Sequence, residues 1–425
     1  MSQNTNLGPI KLLEALFDEA VAAASPAHHI ADFLPEKPIG RTVVVGAGKA
    51  SAAMASAFEQ NWEGALEGLI VAPHGPAISC QQIEIAHANH PVPDVAGEKA
   101  SKRILELVSG LSADDLVVCL ISGGGSALLS LPGDGITLAD KQAINSALLK
   151  SGAAIDEMNC VRKHLSAIKG GRLAAAAYPA RTVTLAISDV PGDDLSVIAS
   201  GPSVPNDSTR AQALDIIRRY NIILPENVKT LLKSDSSLTP KASDERLSKI
   251  SSHLICKPQQ SLEAAAKLAS DNGYNVIILG DAIEGEACEV GKVMAGIAKQ
   301  VSQYEQPVKK PAVLISGGET TVTLKTKGGR GGRNAEFLLS FAQSTIGLDN
   351  IFAIAADTDG IDGSESNAGV VWNPAVAEAA LAKSLNLSKF LDNNDAWSFF
   401  NAIDALVVTG PTHTNVNDFR AILIM

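Results

Sequence analysis

Five short polar segments concentrate the residues whose types and spacing suit chemistry. In "GAGKAS" (Gly46–Ser51), Lys49 follows Gly48 directly behind the β-branched run Thr42–Val45. A cation in a glycine turn, beside free amides at a helix start, suits a phosphate or a developing negative charge; a structural turn with an exposed lysine is the plain alternative. "SGGGSA" (Ser122–Ala127) offers Gly123, Gly124, Gly125 and Ser126, either as uncovered amides around an anion or as a tight turn capped by Ser126. "SDVPGDD" supplies Asp189, Asp193 and Asp194, and "DTDGIDG" supplies Asp357, Asp359 and Asp362. Loop carboxylates suit magnesium, which binds one or two of them together with phosphate oxygens and water, and one could take a proton from an attacking hydroxyl. Asp-Gly turns without a ligand are the alternative. The fifth segment, "SGGE", carries Gly317 and Gly318 as further candidates for nucleotide contact.

Two basic segments complement these loops. "NCVRKHLSAIKGGRLA" (Asn159–Ala174) holds Arg162, Lys163, His164, Lys169 and Arg172 with no acid among them. At helical spacing Arg162, Lys169 and Arg172 fall near one side, which points to an anionic partner or to a solvated helix face. "TKGGRGGRNAEF" (Thr326–Phe337) sets Arg330 and Arg333 among glycines before a helix. Such arginines can clamp a carboxylate or stabilise a transferring phosphoryl group, or simply decorate a pliable surface loop.

Several other chemistries lack their residues. The dinucleotide fingerprint fails because Ser51 takes the place of the third glycine, and Leu69–Val71 runs into Ala72, Pro73 and His74 with no ribose-binding acid. A phosphate-binding G-x-x-x-x-G-K-[ST] loop does not occur here. Ser126 does not sit in G-x-S-x-G, and the histidines, His90 included, show no zinc spacing. "DTDGIDG" fails as a calcium loop, since Ile361 and Ala368 stand at ligand positions.

The elements that must position these loops alternate along the chain. Expected strands are Thr42–Val45, Leu69–Ala72, Leu116–Ile121, Thr182–Ile187, Leu254–Cys256, Val276–Leu279, Ala312–Ile315 and Ile351–Ala355. Expected helices between them include Ala50–Gln60, Gly97–Val108, Leu262–Ser270 and Glu286–Ser302. The strands are continuous apolar runs, as in parallel sheets covered on both faces, so the fold class is α/β. Each of the five polar segments begins where an expected strand ends, the edge at which such sheets bind ligands. The Ser-, Asp- and Lys-rich stretch 233–249 marks a surface connection, which places two domains at residues 1–240 and 241–425.

The 425 residues exceed one ordinary core. A net charge of −11 argues against nucleic acid or an anionic membrane as the main partner, while leaving room for a local basic site. Five scattered cysteines without a CxxC pair, and an N-terminal stretch interrupted by Lys11, Glu14, Asp18 and Glu19, fit a cytoplasmic protein without a signal peptide or bilayer span.

Taken in order, "VVGAGKAS", "NHPVPD", "LISGGGSALL", "RKHLSAIKGGRLA", "SDVPGDDLSVIASGPSVP", "LISGGETTVTL", "GRGGRN", "DTDGIDG" and "TNVND" resemble the class II glycerate 2-kinase family. Its C-terminal part is the MOFRL domain, and some members carry the label hydroxypyruvate reductase. The resemblance implies a Rossmann-like, mainly parallel N-terminal domain, a smaller α/β MOFRL-type domain and an active site in the cleft between them. It implies transfer of the ATP γ-phosphoryl to D-glycerate with Mg2+, giving 2-phosphoglycerate and ADP. Matching positions make Lys49, Arg330 and Asp189 the catalytic candidates, with Asp189 and Asp359 for metal. Gly46, Gly48, Gly123, Gly124, Gly125, Ser126, Gly317 and Gly318 fall to the nucleotide, and Arg162, Lys163 and Arg172 to the substrate. Small molecules are then the partners, and a homo-oligomer is compatible with them. Ala335, where relatives commonly carry glutamine, and His413, where glycine is usual, depart from the pattern. An NAD(P)H-dependent hydroxypyruvate reductase and a non-catalytic nucleotide- or carboxylate-binding protein are the competing readings.

Overall fold

The apolar runs form two separate sheets in the computed structural model, which describes residues 7–75, 78–324 and 328–425. The first sheet contains β1 (Thr42–Ala47), β2 (Glu67–Pro73), β3 (Ile83–Ala88), β4 (Leu116–Ile121), β5 (Arg181–Ile187) and β6 (Ile250–Cys256). All pairings are parallel, in the order β3-β2-β1-β4-β5-β6 of doubly wound nucleotide-binding folds. Every residue of β1 and β4 is buried, which explains why neither strand alternates in polarity. Gly46 is required by this packing: a Cβ there would stand 1.9 Å from Leu120 O of the neighbouring strand. The helix Val95–Val108 starts where Asp94 accepts the Gly97 amide at 2.9 Å, and buries Ala100, Ile104 and Val108 along one stripe. The helices Leu138–Ser151, Ile155–His164, Arg210–Arg219 and Glu226–Lys233 share an apolar cluster that includes Leu148, Val161, Ile216 and Leu231.

The second sheet is mixed. It uses β7 (Asn275–Gly280), β9 (Ala312–Ser316), β11 (Ile351–Asp357), β12 (Gly369–Trp372), β13 (Leu406–Val407) and β14 (Asp418–Ile424), while β8 (Gly285–Glu286) pairs with β10 (Thr320–Thr321). Its order is β13-β12-β11-β14-β9-β7, with β14 antiparallel to both β9 and β11. The carboxyl ends of β9 and β11 therefore lie at the same edge, beside the start of β14. The N-terminal helix Pro9–Ala23 buries Leu12, Leu13, Leu16, Phe17 and Ala20 in this core, where Phe17 meets Phe419 at 5.9 Å between ring centroids.

The division between the units corrects the boundary expected at residue 240. One unit comprises Pro26–Asp189 and Asp193–Cys256; the other comprises the chain up to Ser25, Val190–Gly192 and Lys257–Met425. The polar stretch 233–249 is tied down within the first unit, with Lys241 Nζ donating to the carbonyls of Asn206 (2.8 Å) and Ser208 (2.7 Å). It then leads into β6, which completes the parallel sheet beside β5. Among the described residues, no helix is long and apolar enough to cross a membrane.

Candidate active site

Beyond the strand ends, the contact between β1 and β4 continues from loop to loop. Ser122 donates its amide to Ala47 O (3.2 Å), Lys49 to Gly123 O (2.7 Å), and Ala50 to Ser122 Oγ (3.0 Å). The amides of Gly48 and Ser51 are likewise engaged, by Val71 O and Gly48 O. The free amides expected in "GAGKAS" are thus absent, because buried donors at this strand junction find partners inside the protein. The adjoining loop is different. The amides of Gly123 and Gly124 donate to no protein acceptor among the described residues. Gly124 has φ of 77°, and a Cβ there would meet His90 at 3.1 Å and Lys49 Cγ at 3.2 Å. Lys49 and His90 therefore flank the glycine loop that retains the capacity to cradle an anion. This junction of β1 and β4 is the point where the strand order reverses. Asp189 emerges from the same sheet edge, two residues beyond the end of β5.

Next to Gly124 and Ser126 lies a cavity of about 210 Å³, lined by His90, Lys141, Asn145, Arg162 and Lys169 with an apolar wall that includes Ile144 and Val161. Among the described residues, no carboxylate lines it. Lys169 donates to Ser126 Oγ (2.7 Å) and to the Ser126 carbonyl, and Ser126 Oγ also meets Ser200 Oγ at 2.8 Å. Arg162 Nε donates to Asn145 Oδ1 (2.7 Å), and Lys141 Nζ to Leu131 O (3.2 Å). Burial, followed by the charges of Lys141, Arg162 and Lys163, pushes Lys169 well below its ordinary range. Burial likewise brings Lys141 down to about 7; Glu98 opposes the shift, and Arg162 and Arg172 reinforce it. Crowded buried basic groups with no carboxylate in the described lining suit a small anion.

The expected single basic helix does not form. The helix Ile155–His164 ends at Leu165, and Gly170 and Gly171, with φ of 59° and 83°, turn the chain before Arg172–Ala177. Only Arg162 of the three substrate candidates lines the cavity. The Arg172 guanidinium donates to the carbonyls of Lys163 (2.8 Å), Lys169 (3.2 Å), Ser236 (3.3 Å) and Leu238 (3.0 Å), which makes it a structural fastener. Lys163 Nζ donates to Asn206 Oδ1 at 3.3 Å.

In the other unit, "SGGE", "DTDGIDG" and the start of β14 converge. Arg333 bridges Asp357 and Asp418, each at 2.7 Å. Burial works against the Asp418 charge, but Arg333 and Arg420 hold its carboxyl below the ordinary range. Asp362 accepts the amides of Asn334 (3.0 Å) and Ala335 (2.9 Å) and so caps the helix Arg333–Thr345, while burial raises its carboxyl to about 6. Asp359 Oδ1 accepts the Ile361 amide at 2.8 Å. Arg330 pairs with both carboxylate oxygens of Glu365 (3.1 and 2.6 Å) and lies 3.7 Å from the Trp397 ring centroid. Gly317 and Gly318 serve packing: the Gly317 amide donates to Gly280 O at 2.8 Å, and a Cβ at Gly318 would stand 2.3 Å from Ile283 N. Thr326 and Lys327, which open the arginine-bearing stretch, lie outside the described residues.

Comparison with known proteins agrees with this architecture. Residues 12–233 match a domain of unknown function, DUF4147, and residues 312–418 match the MOFRL family. The chain is 40% identical over 417 residues to a Thermotoga maritima protein named D-glycerate 2-kinase, covering 98% of each chain. It is also 53% identical over 416 residues to an Agrobacterium vitis protein that bears a provisional hydroxypyruvate reductase name, covering 97% of this chain and 94% of that one. A Thermotoga maritima glycerate kinase crystal structure superposes with a TM-score of 0.87 at 39% identity, over 98% of this chain and 99% of that one.

The chain belongs to the class II glycerate kinase family.

In this family member, sequence reasoning placed Lys49, the Gly123–Ser126 loop and Arg162 around one region. It missed Lys141, and it considered His90 only as a zinc ligand. A signal for Lys141 existed: Leu138, Lys141, Ile144 and Leu148 follow helical spacing, so the lysine lies on the helix's buried face. The two departures from the family pattern also have local settings. Ala335 is fully buried beneath the Asp362 cap, and His413 adopts φ of 63°, a region that glycine enters without steric cost.

Proposed function

We propose that this protein is an ATP-dependent glycerate 2-kinase acting on D-glycerate. The observation that carries the reading is the cation-lined cavity at the strand switch point, reached past Gly124 with Lys49 at its flank. A small hydroxy acid needs such charge for its carboxylate, and phosphoryl transfer needs little beyond positioning and charge neutralisation. The 2-hydroxyl oxygen attacks the γ-phosphorus, the bond from that phosphorus to the β-phosphate oxygen breaks, and ADP leaves. Asp189 takes the hydroxyl proton. Lys49 offsets charge on the transferring group, and Arg330, held by Glu365 and Trp397 within its own unit, is proposed as a further catalytic residue. The amides of Gly123 and Gly124, which donate to no backbone acceptor among the described residues, receive phosphate oxygens.

Magnesium fits as a companion of the nucleotide. No group of three or more His, Cys, Asp or Glu that could hold a metal occurs among the described residues. One or two carboxylates suffice when phosphate oxygens and water complete the shell, and Asp189 and Asp359, which stand in different units, are each proposed as a donor. When bound, the ion would neutralise phosphate charge and align the chain of phosphates. A reducing, cytoplasmic setting accords with five free thiols.

Hydroxypyruvate reduction is the second reading, favoured by the name of the Agrobacterium vitis relative. The end of β2 counts against it, because Ala72, Pro73 and His74 offer no carboxylate for a nicotinamide nucleotide's ribose. Purified protein should form ADP from ATP in the presence of D-glycerate and Mg2+, and should leave NADH and NADPH unoxidised with hydroxypyruvate. Cofactor oxidation without ADP formation would reverse the assignment.

A further inference from the structure

We propose that Lys141 is a carboxylate-recognition residue of the cavity, charged by a proton taken from solvent as the anionic substrate enters. This rests on the kinase reading for the identity of the anion and goes beyond it in assigning the residue and the proton. Lys141 projects from the buried face of the helix Leu138–Ser151 into the cavity, where its Nζ donates, among the described residues, to one acceptor, the Leu131 carbonyl. An ammonium has three donors, so one bond leaves capacity for a ligand oxygen.

Basic and acidic groups face it from the neighbouring elements. Arg162 faces it from Ile155–His164, Lys169 from the following loop, Arg172 from Arg172–Ala177 and His90 from the loop after β3. Glu98, on Val95–Val108, is the acid that acts on it. Burial, opposed by Glu98 and reinforced by Arg162 and Arg172, makes the cavity a poor place for another positive charge. A carboxylate entering between Lys141 and Arg162 reverses that balance, and the lysine then holds its proton. Arg162 is the partner whose charge stays fixed, because guanidinium does not titrate in this range. Lys141 therefore couples anion binding to proton uptake, and binding weakens as pH rises through the neutral range.

Calorimetric titration of the full chain with D-glycerate, at about pH 8 in two buffers of different ionisation enthalpy, measures the protons taken up. The unaltered protein should take up nearly one proton per D-glycerate bound, and none with glycerol, which lacks the carboxylate. Lys141→Arg, which is always charged, should bind D-glycerate without proton uptake and with little pH dependence. Lys141→Met should weaken binding and raise KM about 10- to 100-fold while changing kcat much less. If Lys141→Met does not fold, the Lys141→Arg titration still decides. Proton uptake that persists in Lys141→Arg, or an absence of uptake in the unaltered protein, overturns the proposal. Lack of turnover with ATP refutes the kinase reading by itself, whereas Lys141-dependent uptake on D-glycerate binding would still support this assignment.

Discussion

Lys49 was legible in sequence as a cation out of place in a nucleotide loop, and the structure gives that oddity a setting beside Gly124. Lys49→Ala should lower kcat about 10³-fold, the scale of losing a donor to developing charge, with an unchanged unfolding midpoint. Near-normal turnover in the folded variant would remove Lys49 from the mechanism. Arg330→Ala should also slow turnover, by about 10²-fold or more, because its charge is held ready by Glu365 and Trp397. Lys141 makes a separate statement about stability. Its folded value of about 7 lies below the ordinary 10.5, so between those values the unfolded chain binds the extra proton and stability rises with pH. Urea midpoints measured across that window should climb more steeply for the unaltered protein than for Lys141→Met. The carboxylates were harder to separate in sequence. "DTDGIDG" displays three equivalent aspartates, yet Asp357 pairs with Arg333, Asp362 caps a helix, and Asp359 turns its own loop. Those roles depend on partners distant in the chain, which spacing does not reveal.

At the scale of elements, strands built from continuous apolar runs were easily read; Leu116–Ile121 was expected with the same ends that it has in the structure. The central strand β14 was missed because Asp418 and Arg420 interrupt its apolar run, and both are buried there by mutual pairing. The basic segment read as one helix ends at Leu165, and the turn through Gly170 and Gly171 redirects Arg172 to backbone carbonyls. Glycines posed the same difficulty: phosphate approach and close packing leave an identical trace in sequence. Paired substitutions separate them. Gly46→Ala should lower stability by about 3 kcal/mol through overpacking against Leu120, read from urea unfolding. Gly124→Ala should keep the fold, at a cost of about 1 kcal/mol for its left-handed backbone, and should weaken ATP binding at least tenfold.

At the scale of the molecule, composition pointed to two α/β units, but the polar stretch 233–249 suggested a division one strand too early. Its serines and lysines resemble a linker in composition, although several are fixed by hydrogen bonds before β6 begins. A fragment spanning residues 26–256 should unfold cooperatively, whereas one ending at residue 240 lacks β6, exposes the edge of β5 and should aggregate. Light scattering and thermal unfolding of the two fragments would check this. The most direct test of the central claim is phosphorus NMR of the complete protein incubated with D-glycerate, ATP and Mg2+. The account predicts that resonances of ADP and 2-phosphoglycerate grow together at the expense of ATP; a 3-phosphoglycerate resonance, or ATP left intact while NADH is consumed with hydroxypyruvate, would contradict it.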